Sequence, residues 1–530
     1  MPKVVSVEQM VAIEKAADES GMIDYDTMMQ NAGRATAEVV RQRLNLLTQF
    51  GRVAVLVGPG NNGGDGLVAA RIIAEETEAE VGAYLLEPRE DDLFNAAQDA
   101  GVFLADAESD QRWRILRTMV ENADVLVDAL LGTGIDLPLR DEAAKLLRQA
   151  SGAAFPPAPA RRLIRPASSN RVPVRRAFVV AVDCPSGLDC DTGEADPNTI
   201  PADITVTFAA AKRGHFASNL VGELIIADIG ISDRLPALRD VTVEVATDVA
   251  NLIPQRDPFG HKGTFGTVLV VAGSTHFTGA AALSGMAAYQ SGAGLVRMAV
   301  PQPLHPILAG SLYEPVWLPL PHEAGAFAPA SLGVLRDQAG GFDALLLGPG
   351  IGQSEPPAAF LRDLLAETEL IEHAPLVIDA DGLNLLAAQD AWWEQLPEHT
   401  VLTPHPVEMA RLARLDTAVV QADRIGVAQR SAAKWGCVIV LKGAHTVVAT
   451  PDGGAVIIPF ASDALATAGS GDVLAGCIAS LIAQGATPWD AAVAGAYVHA
   501  VAGSQVAEWI GSSRGVVAGD IPRALPRAFA

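Results

Sequence analysis

One pattern constrains this chain more than any other: short apolar runs, each ending in a turn rich in glycine or aspartate, alternate with alanine-rich stretches of helical character. RVAVLV leads into GPGNNGGDG (Gly58 to Gly66). ADVLVDALLGTG carries Asp128 at the end of its apolar run, and AFVVAVDCPSG does the same with Asp183. Strands that read as unbroken apolar runs and alternate with helices belong to parallel sheets buried on both faces. Such sheets bind ligands beyond the carboxyl ends of their strands, which is where all three turns fall. After a charged, proline-bearing stretch the pattern resumes through DALLLGPGIG, APLVIDADGLN, TVLTPHP, CVIVLKGAHTVVA and ATAGSGDVLAG. The glycine spacings of the two halves differ, so the chain is not a duplicated unit.

At 530 residues the chain exceeds one ordinary domain. The pattern predicts one α/β domain over residues 1–235 and a second over 258–530, with 236–257 as a linker that carries one strand, VTVEVA. The Pro-, Arg- and Ser-rich segment 151–176 has no apolar period and reads as a solvated loop or insertion. A formal net charge of -24 excludes a general nucleic-acid binder, which needs a basic face. It also means that a phosphate-bearing ligand must be held locally, by backbone N–H groups, helix N-termini and bound cations. Cys184, Cys190, Cys437 and Cys477 lack metal-binding spacing and fit a reducing compartment. No signal peptide is legible, and the most apolar helical stretch, Val473 to Gly485, is shorter than the ~18–20 residues of a membrane span. The expectation is a soluble, cytoplasmic protein with no membrane partner.

The five glycines of GPGNNGGDG free the backbone to turn tightly and present N–H groups to phosphate, with Asn61, Asn62 and Asp65 among them. The string is neither a GxGxxG fingerprint nor a Walker motif, and a plain strand-to-helix turn is the competing reading. An aspartate ending an apolar strand, as at Asp128 and Asp183, is costly unless a cation or hydrogen-bond donors meet it. A helix cap is the bland alternative for each taken alone. Asn62, Asp128 and Ser186 together offer hard oxygen ligands of the kind an alkali or alkaline-earth cation takes. In the second half, TAGSGDVLAG (Thr467 to Gly476) is the strongest signal. Backbone N–H groups at such a helix start stabilise a transferring phosphoryl group, and Asp472 is placed to take a proton from an attacking hydroxyl. Lys442 in KGAHT brings a cation and a flexible turn beside that loop. His405, between two prolines, points from a strand end into the same cleft. Asp379 and Asp381 are candidates for substrate or cation contacts, and His261 and Lys262 for substrate phosphates or plain surface.

Taken together, these strings resemble one family. QNAGRA, GNNGGDG, VDALLGTG and DCPSGLD are similar to the YjeF N-terminal domain, the NAD(P)H-hydrate epimerase, with a Rossmann-like three-layer sandwich fold. HKGTFG, GSTHFTGAA, GPGIG, DADGLN, TPHP, KGAHT and GSGDVLAG are similar to the ADP-dependent NAD(P)H-hydrate dehydratase, a ribokinase-like α/β fold. The resemblance spans nearly the whole chain and implies metabolite repair. The first domain would interconvert the R and S hydrates of NADH and NADPH (NADHX and NADPHX). The second would dehydrate the S form with ADP, giving AMP and phosphate. The resemblance implies that Asn61, Asn62, Gly63, Gly64 and Asp65 hold the hydrated nucleotide together with Gly132, Thr133, Gly134, Ile135, Asp136, Leu137 and Pro138. Asp183 would bind it beside the reacting carbon, and Asn62, Asp128 and Ser186 would bind potassium. In the second domain Ala280, Gly350, His405 and Asp472 would contact the hydrate. Lys442, Gly443, Ala444, His445, Thr446 and Gly471 would bind the adenine nucleotide, and magnesium would accompany the phosphoryl donor. A homo-oligomer is expected.

Two positions depart from the family: Val407 and Ala468 stand where it usually has glycine. If position 468 needs a positive φ, alanine there costs about 1 kcal/mol or more. The competing reading of the whole chain is a ribokinase-type small-molecule kinase with a non-catalytic nucleotide-binding first half. The anion loop and Asp472 serve both readings, and the fate of the phosphate separates them.

Overall fold

The computed structural model describes residues 1–47, 51–155, 176–338, 340–372 and 374–529. Most of the Pro/Arg-rich insertion, 156–175, therefore lies outside the described residues. The chain divides into two compact units, Pro2–Val241 and Thr242–Ala530.

In the first unit, seven strands make one parallel sheet: β1 (Arg52–Val57), β2 (Glu80–Leu85), β3 (Phe103–Asp106), β4 (Val125–Ala129), β5 (Phe178–Val182), β6 (Ile204–Phe208) and β7 (Glu223–Ala227). Their order is β3-β2-β1-β4-β5-β6-β7. The order reverses between β1 and β4, which is the switch point where open α/β sheets form a crevice. Val53, Val55 and Val57 face a core shared with helices α1 (Val7–Glu19), α2 (Tyr25–Leu44) and α3 (Asn61–Glu76). Ala54 and Leu56 face a second core with α4 (Arg114–Asn122) and α5 (Asp141–Ala154). Successive strand residues point to opposite faces, so burial on both faces is what the unbroken apolar runs satisfy. Outside the sheet, Val4–Val5 pair in parallel with Ala211–Lys212. Ser6 starts α1 through a reciprocal capping box with Gln9.

The second unit holds a ten-stranded sheet. Its strands are β8 (Val243–Val245), β9 (Thr267–Val271), β10 (Leu295–Pro301), β11 (Val316–Leu320), β12 (Ala344–Leu347), β13 (Leu376–Ile378), β14 (Thr400–Leu402), β15 (Val438–Leu441), β16 (Val447–Ala449) and β17 (Ala455–Ile457). The order is β8-β17-β16-β15-β14-β13-β12-β9-β10-β11, parallel except where β16 runs against β15 and β17. Four helices bear on the site: α6 (Thr278–Gln290), α7 (Pro406–Ala413), α8 (Ser470–Ala483) and α9 (Pro488–Ile510). Val268, Val270, Leu346, Val377 and Val440 pack into one core with α6, α8 and α9. The intervening Leu269, Val271, Leu345 and Leu347 are buried on the opposite face.

The strand expected within the linker is present, and the segment divides between the two units. Pro236–Arg239 is a helical turn of the first unit, and Val243–Val245 is the edge strand β8 of the second. Val243 and Val245 are both buried, and pairing with Ala455 and Ile457 gives that short alternation a sheet to join. Among the described residues, no helix is long and apolar enough to cross a membrane.

Leu126 is fully buried in β4, between β1 and β5. Leu126→Ala is expected to destabilise the first unit by about 2–5 kcal/mol, read from the denaturant midpoint of its unfolding transition.

Candidate active sites

In the first unit the polar groups collect at the carboxyl ends of β1, β4, β5 and β6. The glycine-rich turn is shorter than the sequence pattern implies, because Asn61 already opens α3. A close approach dictates this. A Cβ at Gly63 would lie 1.9 Å from the Gly58 carbonyl oxygen, and one at Gly58 would lie 1.7 Å from that of Leu130. No side chain caps the head of α3, so its first N–H groups are available to an anion. The Gly132–Pro138 segment follows β4 beside Asn62, with Gly132 and Thr133 half-buried and Asp136 and Pro138 exposed.

Asp128, fully buried at the end of β4, is met by Ser186. The Ser186 N–H donates to Oδ2 at 2.9 Å and its hydroxyl to Oδ1 at 2.5 Å. Asn62 Nδ2 donates to the Leu131 carbonyl at 3.1 Å, while its Oδ1 is buried with no hydrogen-bond partner. A buried amide oxygen lacking a donor, near a buried carboxylate and a hydroxyl, is a donor set that fits a hard cation. Burial raises the Asp128 carboxyl and the Ser186 bonds oppose the rise.

Asp183 follows β5 with φ 63°, a left-handed conformation that a non-glycine residue rarely holds without strain. Its Oδ1 accepts from the Thr207 hydroxyl at 2.8 Å and is ion-paired with Lys212 Nζ. Lys212, only 1% exposed, also donates to Thr207 Oγ1 at 2.8 Å. Burial would raise the Asp183 carboxyl, but Lys212, with His215 and Thr207 behind it, brings it below the usual carboxylate range. Asp65 moves the other way: burial, then Asp183 and Glu14, lift it well above that range. Glu14 of α1 is also raised, by burial, with Lys212 opposing.

The second unit gathers its polar groups at the carboxyl ends of β12 to β15 and the head of α8. Asp379, after β13, pairs with Lys442 Nζ at 2.6 Å and accepts from Thr403 Oγ1 at 2.8 Å. Lys442 also lies 3.8 Å from Glu408. His405 is the N-cap of α7: its Nδ1 accepts from Val407 and Glu408 N–H groups, and its own N–H donates to Glu408 Oε2 at 2.8 Å. Asp472 sits in the first turn of α8, whose N-cap is Gly469 at φ 93°. A Cβ at Gly471 would lie 3.1 Å from Lys442 Nζ and 3.6 Å from Asp379 Oδ2, so the anion loop, the lysine and the aspartate converge. Ala280 and Gly350 meet at the head of α6, where a Cβ at Gly350 would lie 2.8 Å from that of Ala280. In KGAHT, Arg424 Nη2 donates to the Leu441 and Lys442 carbonyls, and the Thr446 hydroxyl donates to Gly443 O at 3.0 Å. Gly443 and Ala444 are exposed, His445 and Thr446 half-buried.

Charge is tightly coupled here. Burial, reinforced by Asp379 and opposed by Lys442, lifts the Asp472 carboxyl to about 7. Burial takes Glu408 to about 7 as well, with Lys442 opposing. Burial alone would lower the Lys442 ammonium; Asp379 and Glu408 outweigh it and hold it above the ordinary lysine value.

Other expectations change. Asp381 accepts from Gly352 N at 2.9 Å and Gln353 Nε2 at 2.7 Å, so it braces the GPGIG loop. His261 spends Nδ1 on the Gly263 and Thr264 N–H groups of its own turn, and it and Lys262 are exposed. Ala468 is not among the residues with positive φ; that conformation falls on Gly469, so the alanine carries no such strain. Sequence reasoning missed Lys212, Thr207 and Glu14 in the first unit and Glu408 and Arg424 in the second. A lysine within the apolar AAAK run was the available signal for Lys212, since buried lysine demands a partner.

Comparison with known proteins gives a family model described as NAD(P)H-hydrate dehydratase matching residues 268–527. A second, described as YjeF-related protein N-terminus, matches 25–214. The bifunctional NAD(P)H-hydrate repair enzyme Nnr of Moorella thermoacetica is 36% identical, covering 99% of this chain and 96% of its own. That of Escherichia coli K12 is 33% identical, covering 97% and 91%. Among solved structures, the Bacillus subtilis ADP/ATP-dependent NAD(P)H-hydrate dehydratase co-crystallised with ATP/Mg2+ is 29% identical, with a TM-score of 0.45, covering 53% of this chain and 94% of its own.

Asp472 titrates higher folded (about 7) than its ordinary value of 3.8. The folded state therefore holds the extra proton, and the stability this contributes is present below about pH 4 and lost as pH rises through 7. Asp472→Asn removes that loss. The variant is expected to melt above the wild type at pH 8, with the gap closing at pH 5, as followed by thermal denaturation across pH.

Proposed function

The chain belongs to the family of bifunctional NAD(P)H-hydrate repair enzymes, and from that premise we propose how its residues carry the two reactions. It pairs an epimerase unit with a dehydratase unit, and the kinase alternative is not favoured. The observation that carries the assignment of residues is the convergence of Asp472, Lys442 and Asp379 at the head of α8.

The hydrate carries a hydroxyl on a saturated ring carbon next to the ring nitrogen, and hydroxide is a poor leaving group at neutral pH. Asp472 takes the hydroxyl proton, and the oxygen attacks the terminal phosphoryl group of ADP. A carboxyl near 7 suits a base that must work at neutral pH. The N–H groups at the start of α8 stabilise the charge spreading over the transferred group, and Lys442 adds a cation beside them. Phosphate then departs with the electron pair of the carbon–oxygen bond, assisted by the nitrogen lone pair, and a ring proton is lost. Dihydronicotinamide, AMP and phosphate result. Ala280, Gly350 and His405 line the hydrate, and Lys442 to Thr446 with Gly471 the nucleotide. Magnesium, when bound with the nucleotide, neutralises phosphate charge. Among the described residues no cluster of three or more His, Cys, Asp or Glu forms a metal cage, so phosphate oxygens would be its main ligands. ADP rather than ATP is the donor we favour.

In the first unit, Asn61 to Asp65 and Gly132 to Pro138 hold the hydrated nucleotide. Asp183 stands at the reacting carbon. Asn62, Asp128 and Ser186 would hold potassium, which supplies fixed positive charge to a site in an acidic chain. The described cysteines are free thiols, as suits the cytoplasm.

Three outcomes test these assignments. Dehydration of S-NADHX at saturating ADP and Mg2+ should lose about tenfold in rate per pH unit below about 7, the slope of a single ionising base; a flat profile removes Asp472 from that role. Asp472→Asn should abolish NADH recovery and leave R/S interconversion intact, whereas Asp183→Ala should leave the S form consumed and the R form slow. Replacing choline with potassium should raise the melting temperature of the wild-type first unit but not that of Asp128→Asn; equal shifts would remove the cation site.

A further inference from the structure

Lysine is rarely buried unless it is paired, and Lys212 is held from several sides. Its backbone lies in the ladder with Val5. Its N–H donates to His215 Nδ1 at 3.2 Å. Its Nζ meets Asp183 Oδ1 and Thr207 Oγ1. The backbone around this contact is strained twice, at Asp183 (φ 63°) and at Ala209 (φ 57°). Such strain persists only where the surroundings over-determine the geometry. The titratable groups facing Asp183 are Lys212, His215, Glu14 of α1 and Asp65 of α3. Burial takes His215 down to about 4, which leaves it neutral at working pH.

Epimerisation at a carbon bearing both a hydroxyl and the ring nitrogen needs one proton delivered and one removed. The carbon–oxygen bond breaks as the hydroxyl leaves with an added proton as water, and the nitrogen lone pair forms a carbon–nitrogen double bond. Water then adds to the opposite face and gives up a proton. Nothing is oxidised or reduced. A carboxylate at that carbon must therefore stay ionised to take up the proton, a state that its neighbours set.

We propose that Lys212 is a positioning residue for epimerisation: its ammonium fixes Asp183 as the proton-accepting carboxylate at the reacting carbon. This rests on the epimerase reading of the first unit. Thr207 bridges the ammonium and the carboxylate, so it holds the same geometry. Burial, with Asp183 and Glu14 nearby, lifts the Asp65 carboxyl well above its ordinary range.

The test uses the full chain without ADP, so that the second unit is silent. Pure R-NADHX is supplied in potassium buffer, and its approach to the R/S mixture is followed by chromatography from pH 5.5 to 8.5, with the uncatalysed rate subtracted. The wild-type profile should show no acid limb from Asp183 in this range, whereas in Lys212→Met one should enter it, with about a tenfold or greater loss at the acid end. Lys212→Arg should restore the wild-type profile. Thr207→Val, a near-isosteric change, should bring in a smaller loss at the acid end. The loss in Lys212→Met combined with Asp183→Asn should not exceed that of Asp183→Asn alone, since both act through one group. An acid limb in neither Lys212→Met nor Thr207→Val, or losses that multiply in the double variant, would overturn the proposal. A wild type that fails to epimerise would instead overturn the reading of the unit.

Discussion

Each unit is organised around a carboxylate at the end of a parallel strand, neutralised by a lysine drawn out of solvent and steadied by a threonine hydroxyl. In the first unit the trio is Asp183, Lys212 and Thr207; in the second it is Asp379, Lys442 and Thr403. The threonine comes from the neighbouring strand or its end in both cases. An isolated charge in such a place would not be tolerated, and removing one partner of a buried pair costs about 3–5 kcal/mol. Each ammonium is balanced by its carboxylate, so in a chain of net charge -24 the groups beside the trios that face outward to an anion are the N–H groups of the helix starts, which no side chain caps.

The trios also separate paired from unpaired carboxyls. Asp183 and Asp379 have ammonium partners, whereas Asp65 and Asp472 are buried beside other acids and are raised. The chemistry assigned to each unit uses that separation. The unpaired Asp472 gains basicity from its surroundings. The same sheet rule places both sites at carboxyl ends of strands, so fold and reaction share one physical origin.

Much of this was legible from residues alone. Apolar runs such as RVAVLV and DALLLG announced strands buried on both faces, and the turns after them announced the site end of each sheet. Asp128, Asp183 and Asp472 stood out because a carboxylate there needs a reason. Groups without a local signature stayed hidden. Lys212 meets Asp183 across 29 positions, and Glu14 comes from the first helix, so no window of sequence joins them. The strand in VTVEVA was legible from its alternation, but its partners Ala455 and Ile457 lie too far along the chain for any window of sequence to join them. The GNNGGD string looked like a loop because its glycines permit close packing of α3 on β1, a contact that only the folded backbone exposes.

The fate of the phosphate tests the central claim most directly. Wild-type chain is given S-NADHX, ADP and Mg2+, and phosphorus NMR and reduced-nicotinamide absorbance are followed together. The account predicts one free phosphate and one AMP for each NADH regenerated, with no phosphorylated product accumulating. A stable phosphoryl ester with no recovery of NADH would contradict it and return the second unit to the small-molecule kinases.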